Sequence, residues 1–228
     1  QRARQPDRRD DVLAHHGIHI AGTDFDRRVA LDGPLRALGH GAFGPPRDDG
    51  PPREVASGIY FELASWHLIN TCYTPATLAE MRARRADYAD VRLHQRLMRV
   101  LQQREGHRIA HEVEQAKIRC SQHNAPTEVD LACVEAALAA GLSPDDMARH
   151  LQALLARVID CARDCVRRAG VADGALDAIY LTGGSSALQT LQARLVVQWP
   201  GIPLVQGDLF GGVAAGLAYA AQQRFGAR

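Results

Sequence analysis

Two stretches carry residue types whose spacing suits chemistry. In DAIYLTGGSSALQTLQ (residues 177–192) a short apolar run ends in Gly183-Gly184-Ser185, and Leu188, Leu191 and Leu195 then mark one face of a helix. A strand that hands two glycines to the start of a helix lets bare backbone approach a ligand, and the first helical N–H groups favour phosphate oxygens. Ligands of α/β sheets bind at that end of the strands. Tight-turn geometry alone also accounts for a Gly-Gly pair after a strand. In the second stretch, residues 107–122, Ile109, Val113, Ala116 and Cys120 recur at spacings of four, three and four, one stripe of a helix. Glu114, Lys117 and Ser121 recur at three and four on the adjacent stripe. On spacing alone, this polar row is a solvated flank carrying an i,i+3 Glu–Lys pair. Cys161 and Cys165, four apart on a helix, share a face. They are either a two-cysteine metal or redox site or two small apolar residues on a buried face, and no His or further Cys lies at ligand spacing.

The elements that would position these groups come from a chain of 228 residues, enough for one large or two small domains. Hydrophobic residues make up 46% and charged residues 23%, which supports a real core. A formal net charge of +1 gives no electrostatic ground for nucleic acid or an anionic membrane as partner. Five cysteines at irregular spacing do not suggest a disulfide framework, so a reducing, cytoplasmic setting is expected. No apolar run is long enough to span a bilayer. The opening QRARQPDRRDD is charged with no apolar stretch behind it, so no signal peptide is expected.

Alternation over residues 16–20 predicts a short strand. The turn Ala21-Gly22-Thr23-Asp24 follows, with Thr23 or Asp24 as cap of a helix that starts near Phe25. Residues 32–53 are dense in Gly and Pro and read as a long irregular surface loop. Residues 54–123 read as mostly helical, with the arginines of residues 77–104 on a solvated face. Residues 124–142 are ambiguous: VEAALAAG favours helix and TEVDLACV alternates like a strand. Ser143-Pro144-Asp145-Asp146 is a helix start with Ser as N-cap, and that helix runs to near Gly170. The end reads strand (178–181), glycine turn, helix, strand (202–205) and a small-residue helix over residues 212–221.

HIAGTDFD (residues 19–26), EQAKIRCS (114–121) and IYLTGGSS (179–186) occur in the order and approximate spacing of lobe II of the seventy-kilodalton heat-shock (DnaK) family. The details resemble its YegD-like branch, whose final stretch is similar to PGIPLVQGDLFGGVAAGLA here. The resemblance covers most of the chain, and implies an α/β fold: an actin-like ATPase (ribonuclease H-like) lobe with a mainly helical inserted subdomain. Residues 1–33 and 126–228 would form the base, a mixed sheet with flanking helices, and residues 34–125 the insertion. It implies an ATP or ADP site in which Gly22 approaches the nucleotide and Glu114 and Lys117 hydrogen-bond the ribose. Ser121 would reach the adenine edge, and Gly183, Gly184 and Ser185 line the adenosine and phosphate side. Chaperone function with nucleotide, unfolded clients and co-chaperones as partners is implied; nucleic acid and membrane are not.

The sequence departs from the family at four positions near the nucleotide. Ala21 replaces the first Gly of a pair, Ile118 and Ala187 replace arginines, and Phe210 stands where an Asp is usual. Phosphoryl transfer needs phosphate loops, Mg²⁺ ligands and a group that positions water. The family's two Gly-rich, Asp-bearing loops do not occur in this sequence, so Mg²⁺ is expected only in a full-length protein and turnover is not expected of this chain alone. Two other readings stand beside this one: a lobe of another actin-fold ATPase such as a sugar kinase, and a binding module without nucleotide chemistry.

Overall fold

The computed structural model describes residues 11–48, 50–209 and 211–226. Phe210 and the charged stretch 1–10 lie outside them. The chain is mixed α/β and 60% helical, with small sheets. It forms two compact units, one of residues 21–152 and the other of the described residues before Ala21 and after Gln152.

In the first unit, α1 (Gly22–Asp32) starts three residues earlier than the sequence predicts. Its cap is also different: Asp24 Oδ2 accepts the N–H of Ala21 at 2.8 Å, so Asp24 closes the first turn from inside the helix. Phe25, Val29 and Leu31 are buried. The region expected to be an irregular loop opens with a packed 3₁₀ helix, Pro34–Leu38, which buries Leu35 and Leu38. Its end is locked at Gly39, whose φ is +111°. A Cβ there would lie 2.7 Å from both the Tyr60 hydroxyl and the Tyr88 ring. Tyr60 donates to the Leu38 carbonyl at 2.9 Å and shares a 2.8 Å hydrogen bond with Tyr88.

The predicted helical region is α2 (Gly58–Leu63), α3 (Pro75–Ala83), α4 (Val91–Gln103) and α5 (Gly106–His123), with 3₁₀ turns at Ile69–Tyr73 and Arg84–Asp87. The arginines of α4 are not all solvated. Arg96 Nε lies 2.7 Å from Glu135, and Arg99 donates to the Val134 carbonyl at 2.7 Å. Those contacts anchor residues 131–138, which link β1 (Thr127–Asp130) to the antiparallel β2 (Ala139–Leu142), Thr127 facing Leu142. The alanines that favour helix locally are held in a hairpin because Val129, Leu131, Val134 and Leu142 all become buried.

Helix α6 (Pro144–Arg168) begins in this unit as predicted. Ser143 Oγ accepts the Asp146 N–H at 3.1 Å, and Asp146 Oδ2 accepts the Ser143 N–H at 3.0 Å, a reciprocal capping box.

The second unit holds the rest of α6, β3 (Ile179–Leu181), α7 (Gln189–Gln198), β4 (Leu204–Gln206) and α8 (Gly212–Phe225). β3 and β4 are parallel, Tyr180 facing Val205, and α7 makes the crossover. In place of the one mixed sheet expected over residues 1–33 and 126–228, the described residues form two two-stranded sheets, one per unit. The strand predicted over residues 16–20 does not form. The Ile20 N–H turns back to the Ile18 carbonyl at 2.9 Å, which curls the backbone out of the extended form a ladder needs. Among the described residues no helix is long and apolar enough to cross a membrane.

Ser143→Ala removes the N-cap acceptor and should lower stability by ~1 kcal/mol, read as a shift in the urea midpoint. Hydrogen bonds from Ser143 hold the Asp146 carboxyl down at about 2, below its ordinary 3.8. A carboxyl depressed by folding contributes stability above its unfolded pKa and loses it as pH falls through the folded value. The cost of Ser143→Ala should therefore be full near neutral pH and shrink as pH falls from about 4 towards about 2.

Candidate functional site

The polar row of α5 is built as the sequence predicts. Ile109, Val113, Ala116 and Cys120 are buried, and Glu114, Lys117 and Ser121 follow one another along the edge of that face. Their surroundings differ from a solvated flank. Glu114 is exposed, but Lys117 is only 8% exposed and Ser121 only 4%. The ammonium of Lys117 does not serve as a surface i,i+3 partner. It lies 2.5 Å from Oδ1 of Asp26, one turn into α1 from Gly22. Burial pushes the Asp26 carboxyl up, the Lys117 ammonium pulls it down, and the nearby charge of Glu114 adds to the rise. A buried carboxylate of this kind stays ionised only because a counter-charge is fixed beside it.

A cavity of about 250 Å³ opens beside this pair, with Thr23 and Asp26 of α1 and Glu114 of α5 among its polar lining. Leu35, Leu63, Ile109 and Val113 supply an apolar floor. Trp66, 67% exposed, stands at the same cavity with its ring edge-on to His107 at 5.6 Å. The Thr23 hydroxyl and the Asp26 and Glu114 carboxylates therefore give this apolar slot polar groups.

Gly22, Glu114, Lys117 and Ser121 thus belong to one unit, where α1 packs on α5. Gly183, Gly184 and Ser185 belong to the other. There the glycine turn follows β3 as predicted, and Gly183 has φ +82°, a conformation that favours glycine. Ser186 fastens the turn: its Oγ donates to the Gly183 carbonyl at 2.7 Å, and the Gln192 side chain donates to the Ser186 carbonyl at 2.9 Å. The helix does not begin at once, however. A 3₁₀ turn, Gly184–Ala187, intervenes and α7 starts at Gln189, so the first turn of α7 does not include the glycines.

Cys161 and Cys165 line an apolar groove of about 480 Å³ with Ile18, Val158, Ile179 and Trp199. Among the described residues no group of three or more His, Cys, Asp or Glu side chains is placed to hold a metal ion.

Sequence reasoning gave Asp26 no role of its own, although it closes the segment HIAGTDFD. Two signals point to it. Lys117 is the single lysine of the chain, among 27 basic residues, and the apolar side of its helix marks it as near-buried. A buried lysine needs a carboxylate, and Asp26 is the acid one turn inside a helix that packs on α5. No protein-family model matches the chain.

Lys117→Met should destabilise the protein by ~2 kcal/mol at neutral pH, less than a fully buried pair because Asp26 keeps some solvent contact. Asp26, already raised by burial, would then rise further and take up a proton in mild acid. Its folded pKa would lie above its unfolded one, so the penalty should shrink as pH falls from about 7 to about 5. Urea unfolding at the two pH values measures this.

Proposed function

We propose that the chain is the second lobe of an actin-like ATPase domain of the seventy-kilodalton heat-shock type, YegD-like branch, and that it supplies the adenosine side of an ATP or ADP site. The observation that carries the reading is the Glu114–Lys117–Ser121 row, with its lysine fixed by Asp26 beside a cavity that Thr23 and Glu114 line. A carboxylate acceptor and an ammonium donor three residues apart suit the two hydroxyls of a ribose, and a serine one turn further suits the polar edge of a base. Gly183, Gly184 and Ser185 are the corresponding phosphate-side residues, where bare backbone allows close approach.

The departures from the family shape the expected affinity. Half-buried Ile118 replaces a guanidinium that would stack on adenine, so apolar contact stands in for cation–π attraction. Ala187 withdraws a second guanidinium. Hydrolysis would need Mg²⁺ and phosphate loops from outside this sequence. The full protein would act as a chaperone ATPase whose clients are unfolded proteins and whose regulators are co-chaperones.

Titration calorimetry of the chain with adenosine and with ADP tests the reading. Binding is expected for both, and Glu114→Gln should weaken it about tenfold, ~1.4 kcal/mol, by replacing a charge-assisted acceptor. No detectable heat and no rise in melting temperature would favour a module without nucleotide chemistry. Sugar phosphorylation by the full protein would favour a kinase.

A further inference from the structure

We infer that Asp26 is the positioning residue of this site: it holds the Lys117 ammonium in the orientation from which that ammonium meets a ligand hydroxyl. The inference rests on the nucleotide reading above and adds a residue to it.

Lys117 is the chain's single lysine, while every other basic side chain is arginine. A lysine ends in a compact point charge with three N–H donors on a flexible four-carbon stem, so by itself it has no preferred direction. Here the stem is packed away: the side chain of Lys117 is 10% exposed and that of Asp26 22%. The 2.5 Å ion-pair contact to Oδ1 holds the ammonium against α1.

The clamp also joins two elements. Asp26 stands on α1 four residues after Gly22, and Lys117 stands on α5 three residues after Glu114. One ion pair therefore joins α1 to α5 beside the cavity that Asp26 and Glu114 line. Asp26 lines that cavity but is engaged by Lys117, so its effect on a ligand is exerted through the ammonium.

The test measures the acylation rate of Lys117 by sulfo-N-hydroxysuccinimidyl acetate, read by peptide mass spectrometry, together with the adenosine Kd and the melting temperature. Because Lys117 is the single lysine, its ε-amine is read without interference from another. In Asp26→Asn, acylation should rise at least fivefold. Asp26→Glu keeps the charge and shifts it by a methylene. It should fold, keep acylation within about twofold of the parent protein, and weaken adenosine several-fold with little change in melting temperature.

An Asp26→Asn rate within twofold of the parent overturns the clamp. Should Asp26→Asn fail to fold, Asp26→Glu decides, and an unchanged adenosine Kd overturns the positioning role. If the parent protein binds no adenosine, the nucleotide reading falls and the positioning role falls with it. A changed acylation rate would then still show Asp26 as the anchor of Lys117, which separates the two failures.

Discussion

A charge removed from water must be met by another, and in this protein that constraint binds α1 to α5. Asp26 and Lys117 are the partners, held at 2.5 Å with little solvent on either. Such a pair contributes less to net stability than its Coulomb energy suggests, because both groups are desolvated. Its value lies in specification. The observed register of α1 on α5 is one that brings the carboxylate to the ammonium. Phe25 and Val29 on one side and Ile109, Val113 and Ala116 on the other then fill the space that this register defines.

The same helix α5 organises the rest of its unit. Its buried stripe faces α1, and β1 packs against it as well. The hairpin that follows is held from outside by α4, where Arg92 and Arg96 both reach Glu135. Those bonds hold the Glu135 carboxyl well below its usual range, at about 2. Arginines that look like a solvent face in the sequence thus include two that close a loop. Proline and glycine in the segment after α1 do the same kind of work at short range. Pro34 starts a buried 3₁₀ turn, and Gly39 leaves room for the Tyr60–Tyr88 hydroxyl pair.

Where the sequence was read well, the signal was local. The cap Ser143-Pro144-Asp145-Asp146 starts α6 because the Ser143 and Asp146 side chains each accept the other's backbone N–H. The apolar stripe of α5 and the glycine turn after β3 are legible for the same reason: period and turn chemistry belong to consecutive residues. Where pairing or burial against other segments is required, local pattern does not decide. Residues 16–20 alternate like a strand, yet a strand exists only in a ladder, and here the backbone curls on itself. VEAALAAG has the composition of a helix, yet burial of Leu131, Val134 and Leu142 draws it into a hairpin.

The candidate site divides along the same line. Helical and strand periods, fixed by backbone geometry, put Glu114, Lys117 and Ser121 on one helical edge and Gly183 and Gly184 just after a strand. The tertiary structure alone decided what Lys117 does with its charge. Spacing offers Glu114 as partner, three residues away on the same helix. Packing offers Asp26, ninety-one positions earlier in the sequence, and excludes the water that would otherwise screen the choice. The nearer acid stays exposed at the cavity and the distant one takes the ammonium, since attraction between charges grows as solvent is withdrawn.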